Sequence, residues 1–322
     1  MDTMQPSSGG LPGQGSPLNT SIHVMPTGPA DSNFPWAWVA LLIALGAIFV
    51  AVYSYGPLTR EGPKTQKANP TFLLRSDSGV TLYELAGDSI RPATAPTLSN
   101  KLPTIVTELA AALPIGTPVL ASLRKGEEAS LFGLIDATHR FNALYGNTHA
   151  IIRGLAVRAD GLTAFAFSVS AMPKSLSDWK IGVVDSASTK FTDLGKGYAP
   201  AFALNGNVLA LASEGFVEIH VPDGKRTVLI AAKDDFTGTF AVAPDGSFVI
   251  MKNKVTGTDD VFWVNSARPT DMSYLGSLPA MPLAVGVIDA KTFIAQTDVG
   301  NGTVYTVSKS GITAGKTVSV SK

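Results

Sequence analysis

Apolar residues follow three regimes along the chain. Positions 1–33 show no apolar period, positions 34–55 form one unbroken run, FPWAWVALLIALGAIFVAVYSY, and from position 70 short alternating runs recur to the C-terminus. Alternation with a period of two buries every second side chain of a strand, so the third regime predicts a β domain. Its runs come in pairs around tight turns: AVRADGLTAFAF, AFALNGNVLALA, FAVAPDGSFVIM and LAVGVIDAKTFIAQ. Asp-Gly and Asn-Gly supply the positive φ angles that two-residue hairpins need. The turn residues Asp160, Asn205, Asp245 and Asp289 stand 45, 40 and 44 positions apart.

A second strand pair follows each hairpin: WKIGVVDSASTKFTDLG, FVEIHVPDGKRTVLI, VFWVNSARPTDMSYLG and TVYTVSKSGITAGKTV. Two further copies lie upstream, VTLYELAGDSIRPAT and ASLFGLIDATHRFNALYG. With Asp88, Asp136, Asp185, Asp223, Asn265 and Lys309 as markers, the spacings are 48, 49, 38, 42 and 44. Four strands in every period of roughly 40–45 residues is the signature of a propeller blade. The six markers predict an all-β fold, a six-bladed β-propeller over residues 70–322, with the four hairpin turns at one end. The first copy lacks an innermost strand, so closure of the ring needs a strand from elsewhere in the chain. The terminal AGKTVSVSK is either that strand or the outer strand of the last blade. One segment breaks the pattern: in Leu102–Leu113 the Ala run and the spacing of Ile105, Val106, Leu109 and Leu113 predict a short helix.

The hairpins AVRADGLTAFAF and AVAPDGSFVIM, followed by the strand pairs IGVVDSAS and VEIHVPDGK, resemble the repeats of TolB-type six-bladed propellers. The resemblance is clear over 150–310 and weaker over 70–150. It implies the fold and leaves function open, since propellers host both binding and catalysis. No separate N-terminal globular domain of the TolB kind is visible, so a TolB role is not carried over.

The second regime is a membrane span by its dimensions. Its 22 residues carry no charge and reach about 33 Å as a helix, the thickness of a bilayer core. Trp36 and Trp38 at one end and Tyr53 and Tyr55 at the other fit the aromatic belts of the two interfaces. The expected organisation is a disordered Pro/Gly/Ser-rich tail (1–33), a single transmembrane helix (34–56) that engages the lipid bilayer, a polar linker (57–69) and the propeller (70–322).

Charge and composition then narrow the chemistry. The chain has 25 basic and 25 acidic residues, four histidines and no cysteine. A neutral chain lacks the basic excess of a general nucleic-acid binder, and zero Cys excludes disulfides, thiol nucleophiles and Cys zinc sites. No nucleotide, hydrolase or metalloprotease motif is present. The histidines are isolated, and no cofactor or catalytic residue is assigned.

The strand order puts the longer loops and crossovers at the end opposite the hairpins. His149, Asp178, Trp179, Asp234, Asp235, Asp259, Asp260 and Asp298 fall there, the candidate binding-face residues. The expected function is a membrane-anchored binding or scaffold module for a protein or an envelope polymer. The alternative is an anchored hydrolase or lyase with carboxylates or a metal in the propeller channel. Arg60, Lys64, Lys67 and Arg75 follow the span and no base precedes it, which by the positive-inside rule favours a cytoplasmic propeller. The cysteine-free domain and its Ser/Thr-rich strands favour an extracytoplasmic one, and that placement is adopted.

Overall fold

The alternating runs become strands that pair with their sequence neighbours. The computed structural model describes residues 69–76, 79–99, 105–125, 129–147, 151–170, 172–232, 238–253 and 259–321. The expected tail, the expected span with Trp36, Trp38, Tyr53 and Tyr55, and most of the expected linker lie outside the described residues. Among the described residues are 23 strands, one 3-10 turn at Leu176–Asp178 and no α-helix. No helix among them is long and apolar enough to cross a membrane.

Five four-stranded antiparallel meanders follow one another. They are β4 (Ile105–Ala112), β5 (Gly116–Lys125), β6 (Ala129–Ile135) and β7 (Phe141–Asn147); then β8 (Ile151–Val157), β9 (Thr163–Ser168), β10 (Lys180–Val184) and β11 (Phe191–Lys196). Next come β12 (Tyr198–Phe202), β13 (Val208–Ala212), β14 (Gly215–Ile219) and β15 (Arg226–Ala231), followed by β16 (Gly238–Val242), β17 (Phe248–Asn253), β18 (Asp259–Val264) and β19 (Met272–Leu278). The last is β20 (Ala284–Asp289), β21 (Thr292–Gln296), β22 (Asn301–Ser308) and β23 (Gly311–Val320). Ahead of them, β1 (Thr71–Ser76), β2 (Gly79–Ala86) and β3 (Ser89–Pro92) form a three-stranded unit. Burial falls from first strand to last: every residue of β12 and β13 is buried, whereas β15 is largely exposed. Apolar clusters join successive units face to face, as in the Phe216–Phe240–Phe248 triad, whose ring centroids are 5.1–6.5 Å apart. Such stacked sheets are the propeller architecture.

The recurring Asp and Asn residues have a local cause. Asp160, Asn205, Asp245 and Asp289 each accept the amide two residues on, from Leu162, Asn207, Ser247 and Lys291, at 2.8–3.2 Å. Asp136, Asp185, Asp223 and Asn265 do the same in the second set, at 2.8–3.0 Å. These side chains shape turns, which explains their period without a functional site. Asp245→Asn should therefore leave thermal stability unchanged. Asp245→Ala should lower the Tm of the full chain by roughly 2–4 °C, read by circular dichroism.

The first-to-second hairpins lie together. Leu113 bridges Arg158, Arg158 Nη1 donates to the Gly206 carbonyl at 3.3 Å, Leu204 packs on Gly246, and the Ile115 amide donates to the Pro244 carbonyl at 2.8 Å. Four turns thus meet in a circuit, and the β20–β21 turn faces Ser247 across a cleft. The end they occupy is the hairpin end; the crossovers and second-to-third loops occupy the other, the loop end.

Closure of the ring uses a shared strand. β1 is antiparallel to β20 while β2 is parallel to β4, so β1–β3 run like the second, third and fourth strands of a unit. The β20 strand borders β1 where the missing innermost strand would lie, pairing Leu74 with Gly286 and Ser76 with Ala284. The terminal segment is the outer strand β23, and its end also pairs in parallel with β3 at Ser319↔Ser89 and Val320↔Ile90. The expected helix at Leu102–Leu113 is corrected: its described part, Ile105–Ala112, is strand β4, paired with β5 apart from irregularities at Val106/Glu108 and Ala111/Ala112. As an inner strand it is buried on both faces, from Glu108 to Ala112, so it loses the alternation that reveals a strand, and Ala residues pass for helix formers.

Candidate functional site

Two charged side chains are buried where the inner strands converge. Arg75, at the end of β1, is 3% exposed, and Glu108, in β4, is 6% exposed. Arg75 Nη2 donates to the Pro200 carbonyl of β12 at 3.0 Å, and its guanidinium carbon stands 4.9 Å from the Phe240 ring centroid of β16. Its Nη1 has no hydrogen-bond partner. The Glu108 carboxylate accepts the amides of Gly154 and Leu155 in β8, at 3.4 and 3.3 Å. Gly79 of β2 lies against that carboxylate, where a Cβ would overlap it.

Arg75 and Glu108 therefore connect β1, β2, β4, β8, β12 and β16, drawing distant units of the ring together at its centre. Burial pushes the Glu108 carboxyl up to about 7, against the Leu155 and Gly154 amides and the nearby Arg75 and Arg153 charges that favour ionisation. Burial likewise lowers Arg75 to about 10, opposed by Glu108 and Tyr198. These shifts are large, and such groups in an accessible cleft would be candidates for acid–base work. Here both are closed off from solvent, and Glu108 is occupied by backbone donors. Sequence reasoning passed over both residues. The available signal was a lone charge within an apolar run, TFLLRS and IVTELAAA.

The predicted loop residues have separate roles. Asp178 caps its own loop, accepting the amides of Lys174 and Ser175 at 2.7 and 2.9 Å, which hold its carboxyl below the usual range. Trp179 is buried against Tyr198, with centroids 4.8 Å apart, and braces the loop from beneath. Asp298 accepts the amides of Gly300 and Asn301 at 2.9 and 2.7 Å. Asp259 is buried, and burial followed by the Asp260 charge raises its carboxyl to about 6. Asp260 accepts from Ser277 Oγ at 2.9 Å. His149, Asp234 and Asp235 lie outside the described residues. Among the described residues no group of three or more His, Asp or Glu side chains is placed to hold a metal ion.

Trp179 apart, the sequence reading expects no apolar side chains at the loop end. Val169 and Met172, on the β9–β10 loop, are 79% and 78% exposed. The loop around them is braced: Ser168 Oγ accepts the Ser170 amide, Ser170 Oγ accepts the Met172 amide, and the Asp178 cap follows. Met281 and Leu283 on the β19–β20 crossover and Val299 on the β21–β22 loop are also exposed. The Leu283 amide donates to the Gln296 carbonyl at 2.6 Å, which ties these last two loops together. Exposed apolar side chains on pre-shaped loops are a feature of contact surfaces.

No protein-family model matches the chain, and no curated protein matches it. Solved structures do. A TolB from Acinetobacter baumannii is similar over 86% of this chain and 69% of its own, at 12% identity and a TM-score of 0.48. An oligogalacturonate lyase in complex with manganese is similar over 74% of this chain and 70% of its own, at 13% identity and a TM-score of 0.47. A chain of the mitotic checkpoint complex is similar over 78% of this chain and 75% of its own, at 12% identity and a TM-score of 0.46. The likeness to TolB-type propellers is one of fold, the level at which the repeats first indicated it.

Proposed function

We propose that this chain is a membrane-anchored six-bladed propeller that serves as a binding or scaffold module, with its loop end as the contact face. One observation carries the reading: exposed Val169 and Met172 stand on a braced loop, while the charged groups at the centre are buried and committed to the fold. The six blades are the five meanders and the three-stranded unit that borrows β20. Anchoring rests on the uncharged run at 34–55 and its paired aromatics. The domain limits and the extracytoplasmic placement belong to the same proposal. The partner is a protein or an envelope polymer; Asp178 shares the β9–β10 loop with Val169 and Met172, and Asp298 precedes Val299 on the β21–β22 loop.

The test is capture from a detergent extract with the full chain and with a Val169→Ser/Met172→Ser variant. Retention of the partner should fall by at least about tenfold in the variant, equivalent to losing roughly 1.4 kcal/mol of apolar burial. Equal retention by both chains would remove the loop end from the reading. A second reading, an anchored hydrolase or lyase, would need a substrate to reach Glu108, whose carboxyl is pushed up to about 7 by burial but which is closed off from solvent in the structure. A hydrolytic or lyase activity abolished by Glu108→Gln in a chain that stays folded would favour it.

A further inference from the structure

Arg75 Nη1 is, among the described residues, the one buried side-chain nitrogen or oxygen without a hydrogen-bond partner. An open donor in the interior is costly, most of all on a charged group, and native structures seldom keep one. The charges around it do not balance either. Arg75 and the half-buried Arg153 of β8 both act on Glu108, and Glu108 is the one carboxylate that acts on Arg75. Tyr198 of β12 is the remaining titratable group beside the guanidinium. Gly79, Pro200 and Phe240, the contacts from β2, β12 and β16, bring no charge. Ionised Glu108 thus offsets one of two cations, and protonated Glu108 offsets neither.

The inner strands are bent to hold this arrangement. β8 slips register between Arg153 and Ala156, and β12 between Tyr198 and Ala201. Buried Ala199 keeps a left-handed φ of +51, which costs any residue with a Cβ. The same irregular segments present the Gly154 and Leu155 amides to Glu108 and the Pro200 carbonyl to Arg75. Strain of this kind persists where the surroundings over-determine it and clusters where a group is bound. It satisfies Glu108 and Nη2 of Arg75, and Nη1 is left for something else.

We propose that Arg75 Nη1 holds a halide ion, chloride under ordinary conditions, which completes the buried charge arrangement at the centre of the ring. The donor is enclosed, which rules out a partner side chain, a phosphate or a carboxylate, whereas a halide is close to one water molecule in bulk. Charge selects the ion over water, since a water would fill the hydrogen bond and leave the excess cation in place. Glu108 and the halide compete for the same cation, so the halide should bind more tightly below about pH 7, where the carboxyl is protonated. The site lies apart from the exposed loops and does not depend on the loop face.

The experiment is urea unfolding of the full chain in detergent, in sodium chloride and in sodium gluconate at equal ionic strength. At about pH 5 the folded-to-unfolded ratio should rise by close to tenfold for each tenfold rise in chloride above the dissociation constant, and gluconate should have no such effect. At about pH 8 the same rise should need roughly tenfold more chloride. Arg75→Met should abolish the chloride dependence, and Glu108→Gln should keep it while removing its pH dependence. If Arg75→Met does not fold, the Glu108→Gln comparison and a bromide crystal decide. In crystals of the full chain grown with sodium bromide, an anomalous peak should stand in hydrogen-bond contact with Arg75 Nη1. Coincident chloride and gluconate curves overturn the proposal. So does a chloride dependence that survives Arg75→Met, or density at Nη1 without a bromide signal, which would be water.

Discussion

Glu108→Leu should lower the unfolding free energy of the propeller by about 3–5 kcal/mol, measured by urea denaturation of the full chain in detergent at pH 7. The substitution leaves the Gly154 and Leu155 amides without acceptors and Arg75 as a buried cation without its compensating neighbour. Breaking one side of a buried charge arrangement has costs of about this size.

The same residue sets a pH dependence. The folded carboxyl titrates at about 7, above its ordinary 4.5, so folding takes up a proton between those values. Its stabilising contribution is complete below about pH 4.5 and is lost as pH rises through about 7, a change on the order of 3 kcal/mol. Asp259, raised to about 6, adds to the trend with the same sign. Wild-type stability should therefore fall from pH 5 to pH 8, and Glu108→Gln should flatten most of that fall. Arg75→Met removes a nearby cation and pushes Glu108 higher still, so that variant should lose more stability at pH 8 than at pH 5. Identical slopes for wild type and Glu108→Gln would mean that Glu108 is hydrated in solution.

Gly215→Ala should be as damaging by a different route. Gly215 opens β14 at φ +129, a conformation that L side chains rarely adopt. A Cβ there would overlap the Ile230 carbonyl oxygen and stand 2.6 Å from the Ala232 amide, both on the paired strand β15 and just beyond it. Backbone cannot move aside as a flexible side chain can, so the expected loss is at least about 3 kcal/mol. Gly87→Ala is the control. Gly87 also has a positive φ, +63, but nothing lies within 4 Å of its would-be Cβ. That change should cost only about 1 kcal/mol. Similar losses at both positions would show that φ alone, and not the close approach of β15, governs Gly215.

Turn chemistry made most of the fold legible. Asp160, Asn205, Asp245 and Asp289 mark hairpins because each side chain holds the amide two residues on, and that device recurs in the four successive units from β8 to β23. Where strands are buried on both faces the alternation disappears, so the Ala-rich β4 carries the pattern of a helix in the sequence. The closure was half visible. The absence of an innermost strand before β1 follows from the sequence, but that β20 fills the place depends on pairing between residues more than 200 positions apart.

The candidate site was less legible for the same reason. Arg75 and Glu108 are far apart in sequence and meet only because the ring brings β1 and β4 to its centre. Of the acids expected at the loop end, Asp178 and Asp298 lie on loops but are spent on neighbouring backbone amides, Asp259 and Asp260 open strand β18, and Trp179 turns inward onto Tyr198. The exposed apolar side chains beside them carry no sequence mark. Met172 looks in sequence like any other core residue until the loop around it is seen.

Photo-crosslinking tests the central claim most directly. A benzophenone side chain is placed at Met172, at Val299 or at Val228, which is 48% exposed on the outer strand β15, and the full chain is irradiated in its native membranes. A loop-end contact face predicts the same discrete adduct from positions 172 and 299 and none from 228. An adduct from 228 with none from either loop position would contradict it.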